Sequence, residues 1–147
     1  MIKFNMVSNI FTHNGSSTVN QIPTFFEWDF NNKSGDIDFY IDGDVNRAIH
    51  EKNNGRKKIL WTLESPFFNN GVLTFIQNNI DLVLSVFDLI FTYDESLLKI
   101  SDKFCFLPAT GSWIKTPKIH EKTKLISMIT SNKIFTPQQK ERVTFAK

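Results

Sequence analysis

Cysteine is nearly missing from this chain. The single Cys105 among 147 residues excludes an internal disulfide framework and a Cys-rich zinc site. It fits a reducing, cytosolic setting and, among apolar neighbours, reads as an inert core thiol. No apolar run approaches the roughly 20 residues that a bilayer-spanning helix needs. The first residues, MIKFNMVSNIF, hold one lysine and no long apolar stretch, a poor match to a signal peptide. Histidine is scarce too: His13, His50 and His120 are far apart and show no metal-ligand spacing. There is no Gly-rich phosphate loop, which argues against a Walker-type nucleotidase or a dinucleotide enzyme. Basic and aromatic residues are not interleaved, which argues against a nucleic-acid partner.

What is present describes a globular domain. Apolar residues make up 41% and charged residues 22%, ordinary proportions for a folded soluble chain. Fifteen Phe and three Trp supply bulky core side chains. The net charge of +2 is unevenly spread. From Lys115 onward eight basic residues face only Glu121 and Glu141, whereas the preceding stretch has nine basic and thirteen acidic residues. A basic C-terminal part suits a phosphate-bearing ligand, and it equally suits a solvated basic tail.

Strands are expected at residues 2–7, 37–41, 58–63, 88–93 and 103–107, with 25–30 a short strand or an irregular aromatic segment. Helical stretches are expected at 45–52, 72–86 and 95–100, with Asn78-Asn79 able to break the second. Several strands are apolar on successive residues, as in Leu89-Ile90-Phe91. That pattern belongs to strands covered on both faces in a parallel sheet flanked by helices. Residues 1–112 therefore read as an open α/β domain and 113–123 as a linker. Residues 124–147 read as the first strand (125–129), polar loop and helix of a second, incomplete α/β domain. Thr136 is a candidate N-cap with Pro137 at the first helical position.

The stretch KKILWTLESPFF carries the chemistry. An apolar strand ends in Glu64, and Pro66 restricts Ser65 to extended backbone. Ligands of open α/β sheets bind outside the carboxyl ends of the strands, where Glu64 falls. Trp61, Phe67 and Phe68 nearby suggest a partly desolvated carboxylate able to act as a general base. Glu64 can instead cap the next helix or pair with a lysine. Asp42-Gly43-Asp44 has the Asp-X-Asp form that binds a divalent cation with a diphosphate, and it is also common turn chemistry. The latter reading is preferred. The aromatics Phe25, Phe26, Trp28 and Phe30 read as core. Trp28 and Trp113 are also able to stack on a sugar ring, and His13 is placed to line a cleft at the end of the first strand.

Trp61-Thr62-Leu63-Glu64-Ser65-Pro66 resembles the Glu-Ser-Pro motif of family 10 glycosyltransferases, the α1,3-fucosyltransferases. Phe91-Thr92-Tyr93-Asp94 matches the strand that follows in that family. Ile129-Thr130-Ser131-Asn132 with Arg142 matches the strand exit and helix arginine that open its nucleotide-binding domain. The three matches come in the family's order and cover roughly residues 55–147. The resemblance implies the Rossmann-like half of a GT-B glycosyltransferase and inverting transfer of a sugar from a nucleotide sugar, usually GDP-fucose, to a carbohydrate hydroxyl. Glu64 is then the base. Ser131, Asn132, Lys133 and Arg142 hold the donor diphosphate, His13 and Ser65 face the acceptor, and neither a metal nor another cofactor is expected. The family's donor domain continues much further, so this chain is expected to be a fragment or a split or truncated product, or to have that half provided by a partner chain. The alternatives are a non-catalytic α/β binding or interaction module derived from such an enzyme, and a receiver-like doubly wound domain. The receiver reading is disfavoured because its acidic cluster and strand-end lysine are not found.

Overall fold

The structure, a computed structural model, describes residues 1–8, 24–30, 33–64, 70–108, 118–119, 121–126 and 131–146. They fall into two compact units, Met1–Lys115 and Thr116–Lys147.

The first unit is built on six strands: β1 (Ile2–Met6), β2 (Phe26–Asp29), β3 (Ile37–Ile41), β4 (Lys57–Trp61), β5 (Leu89–Thr92) and β6 (Phe104–Phe106). They form one sheet in the order β2-β1-β3-β4-β5-β6, and every neighbouring pair is parallel. The expected open parallel α/β sheet is therefore present. Among the described residues this unit has a 3-10 turn (Asp42–Asp44) and four α-helices: α1 (Val45–His50), α2 (Asn70–Asn78), α3 (Ile80–Val86) and α4 (Glu95–Leu98). The expected 72–86 helix is two helices that part at Asn79, whose side-chain amide donates to the Phe75 carbonyl at 2.9 Å. That bond lets Asn79 compete with the helix's own ladder.

Residues of successive parity feed two cores. Tyr40, Leu60 and Ile90 point to one face of the sheet, where they meet Val45 and Ala48 of α1, Ile76 of α2, Val83 of α3 and Leu97 of α4. Successive crossovers in one direction are right-handed, so their helices come down on the same face. The other face is aromatic: Trp28, Phe39, Ile41 and Ile59 are buried, with Phe4, Phe26, Trp61 and Phe91 packed around them. Ring pairs such as Trp28–Phe39, 5.0 Å apart at 75°, have the edge-to-face geometry that aromatic quadrupoles favour. Each large side chain fully buried here stabilises the fold by about 1.5–3 kcal/mol. Of the aromatics expected in the core, Phe25 is the exception at 87% exposed. It precedes β2 and pairs with no strand, so nothing fixes it to a face.

A buried polar knot lies within the first strands. Asn5 donates to the Gly35 carbonyl (2.8 Å) and Asp38 (2.6 Å), and accepts from the Gly35 N–H (2.7 Å). A Cβ on Gly35 would lie 2.4 Å from the Lys3 carbonyl oxygen, so only glycine allows this approach.

The second unit contains α5 (Pro137–Phe145). Thr136 caps it in a reciprocal capping box with Gln139, and Pro137 stands in the first turn as expected. The expected strand at 125–129 does not begin where it should. Leu125 and Ile126 are 99% and 78% exposed and carry no strand pairing, while 127–130 lie outside the described residues.

Candidate functional site at the carboxyl edge of the sheet

The chain runs outward from β1 to β2, then crosses to the other side of β1 and continues through β3, β4, β5 and β6. The carboxyl edge of β1, β3, β4 and β5 is thus the crevice side of an open α/β sheet. Asp42, Glu64 and Tyr93-Asp94 come to it from the ends of β3, β4 and β5. Two buried hydroxyls join the last two strands, with Thr62 donating to Thr92 at 2.8 Å. The Thr62 N–H also donates to the Phe91 carbonyl at 2.9 Å.

Beyond Thr62 the chain leaves the sheet, and three groups hold it. The Leu63 N–H donates to Asp42 Oδ1 at 2.8 Å. The Glu64 N–H is shared between Asp42 Oδ1 (3.3 Å) and Oδ2 (3.2 Å). The Tyr93 hydroxyl donates to the Glu64 carbonyl at 2.7 Å. Glu64 itself is exposed. The expectation of a desolvated Glu64 is corrected: once the strand has ended, the backbone is pinned and the residue stands in water. The desolvated carboxyl is Asp42, only 1% exposed. Burial raises its pKa above the usual carboxylate range, against the opposing effect of the Leu63 and Glu64 N–H donors; the negative charges of Glu64 and Asp44 add to the rise. Tyr93 is likewise raised, first by burial and then by Asp42, Asp94 and Glu64. Asp94 is lowered, chiefly by its hydrogen bond from the Ser96 hydroxyl, and it caps α4 through the Ser96 and Leu97 N–H groups.

Asp42-Gly43-Asp44 forms a 3-10 turn, and both Asp42 oxygens accept from backbone donors. Among the described residues no group of three or more His, Cys, Asp or Glu side chains could hold a metal ion, and no helix is long and apolar enough to cross a membrane.

The other expected site residues are placed unevenly. His13 and Ser65 lie outside the described residues, as do Phe67, Phe68 and Trp113. Ser131, Asn132 and Lys133 are exposed just ahead of α5. Arg142 is exposed in the last turn of α5, about 9 Å along the axis from the cap at 1.5 Å per residue. The helix start is largely occupied. Pro137 has no N–H, the Gln139 N–H goes to Thr136 Oγ1 at 3.0 Å, and the Thr136 carbonyl accepts from Lys140 at 3.0 Å. Asp42 and Tyr93 as backbone holders of Glu64 were not foreseen. Both stood inside quoted motifs, but contacts across 22 and 29 residues leave no local signal.

Fold and edge together define an open, parallel α/β domain that presents a carboxylate where such sheets bind ligands. Comparison with protein-family models, with curated proteins and with solved structures gives no match.

Proposed function

We propose that this chain is the acceptor-type half of an inverting glycosyltransferase, with Glu64 as its base and GDP-fucose as the donor. The observation that carries the reading is an exposed carboxylate at the carboxyl end of a central parallel strand, on a backbone pinned by Asp42 and Tyr93. In the reaction an acceptor hydroxyl gives its proton to the Glu64 carboxylate. Its oxygen forms a bond to the anomeric carbon, and the bond from that carbon to the diphosphate breaks, with the electron pair leaving on GDP. Positioned proton transfer is worth roughly 10²–10⁴-fold. Lys133 and Arg142 would meet diphosphate charge and Ser131 and Asn132 its oxygens, while His13 and Ser65 would contact the acceptor. A partner chain or domain would complete the donor side, and the setting is cytoplasmic.

The test supplies the full chain with the donor half of an α1,3-fucosyltransferase and follows transfer from GDP-fucose to carbohydrate acceptors. Transfer is expected, with Glu64→Gln lowering kcat by roughly 10²–10⁴-fold. Full rate in Glu64→Gln removes the base assignment. GDP alone should bind the isolated chain weakly, and tight binding would overturn the division of donor and acceptor sides. The exposure of Glu64 favours a second reading, a module that binds glycan without turnover. It is distinguished by glycan binding that Glu64→Gln leaves intact and by no transfer in the supplemented assay.

A further inference from the structure

We infer that Asp42 is the positioning residue of Glu64: its carboxylate, reaching from the end of β3, sets the direction in which the Glu64 peptide leaves β4. The inference rests on the glycosyltransferase reading for its consequence in catalysis, and on geometry alone for the clamp itself.

The backbone of the β3 exit makes the argument. Asp42 adopts φ +46°, the left-handed region that an L-residue enters at a cost and glycine enters freely. The next residue is Gly43, which does not take the positive φ. A glycine at position 42 would relieve that cost, yet an aspartate stands there with its side chain turned inward. The left-handed turn aims both carboxylate oxygens across the sheet at the Leu63 and Glu64 N–H groups. These two donors have just left the strand ladder, and Asp42 gives each a part-buried acceptor in its place. Tyr93, from the end of β5, closes the clamp on the carbonyl of the same residue. Strain of this kind gathers at functional sites when the surroundings over-determine it. Here the backbone on both sides of one residue is held from the strands on both sides of its own. The desolvation of Asp42 supports the same picture, since a carboxyl placed only for solubility would not be buried.

Among the described residues the charged and titratable groups that act on Asp42 are Asp44, Glu64 and Tyr93, none of them a cation. The two N–H groups are therefore the partners that favour its ionised form.

The experiment is amide hydrogen exchange by NMR on the full chain. Asp42→Gly keeps the left-handed backbone and deletes the acceptor. The Leu63 and Glu64 amides should then exchange roughly tenfold faster or more, with Thr62 and Ile90 unchanged. Unchanged protection at Leu63 and Glu64 overturns the inference. Should Asp42→Gly fail to fold, the unaltered chain decides. Its Leu63 amide proton should titrate with a midpoint above the ordinary aspartate value, and a Leu63 amide that does not respond overturns the clamp. In the supplemented transfer assay Asp42→Gly should lower kcat on the order of 10²-fold, the penalty of a small misplacement, with the donor KM unchanged. If Glu64→Gln abolishes transfer while Asp42→Gly keeps full kcat, positioning falls and the glycosyltransferase reading stands. If no form of the chain transfers, that reading falls; if Glu64→Gln keeps full kcat, the base assignment falls; in both cases hydrogen exchange still decides the clamp.

Discussion

At the scale of single residues, the carboxyl edge divides its two acids by environment. Glu64 is in water and Asp42 is not, and the difference has a measurable sign. Asp42 keeps its proton to higher pH in the folded chain than its ordinary 3.8. Between those two values the folded state binds more protons than the unfolded one. The stability this group contributes is fully present below about 3.8 and is lost as pH rises through the folded value. Asp42→Asn removes the titration while keeping an oxygen acceptor and tolerance of the left-handed region. Urea unfolding of both chains from about pH 3 to about pH 7 should show the unaltered protein losing stability relative to Asp42→Asn as pH rises. A difference that stays constant, or runs the other way, would mean that the N–H groups of Leu63 and Glu64 outweigh burial. Glu64 itself was legible in the sequence as an acid at a strand end followed by a proline. Its exposure was not, because neighbouring aromatics in sequence do not say which way a chain turns after its last ladder bond. The Asn5–Gly35–Asp38 knot was likewise illegible, since partners some 30 residues apart leave no local pattern.

At the scale of elements, legibility followed the strength of the local rule. Successive apolar residues in β4 and β5 indicated parallel strands because both faces of each are covered, and the register of the sheet agrees. The break at Asn79 and the cap at Thr136 were readable because Asn and Thr side chains bond their own backbone within four residues. Leu125 and Ile126, the described start of the expected 125–129 strand, are exposed and unpaired in a sheet, because an apolar pair does not by itself fix strand pairing. The cap offers a clean test. Thr136 Oγ1 satisfies the Gln139 N–H, and Gln139 Oε1 answers by accepting from the Phe135 (2.9 Å) and Thr136 (3.3 Å) N–H groups. Thr136→Ala removes the first half of this box and should cost α5 about 1 kcal/mol. The residues of α5 should then move toward coil values in their carbon chemical shifts, while α1 to α4 stay fixed. Unaltered shifts in α5 would show that packing, and not the cap, sets where this helix begins.

At the scale of the whole molecule, the two units differ in what can hold them. Met1–Lys115 closes around buried side chains from all four of its helices and both faces of its sheet. In Thr116–Lys147, α5 buries none of its own residues, and Phe145 on it is 83% exposed. Isolated helices shorter than about 12–15 residues are marginal in water, so a nine-residue α5 with no buried residue should open often. Native-state hydrogen exchange ought therefore to divide along the chain. Amides of Tyr40, Leu60 and Ile90 should exchange only through global unfolding, with a steep dependence on urea. Amides of α5 should exchange through local openings that expose little surface and hardly respond to urea. The same contrast bears on the donor reading, because Lys133 precedes α5 and Arg142 lies on it. A diphosphate that engaged both would have to offset the openings of α5, and GDP should slow α5 exchange only when the remaining donor half is supplied. Slowed exchange with GDP and this chain alone would place a complete anion site within these residues, contrary to the division of labour proposed for the two halves.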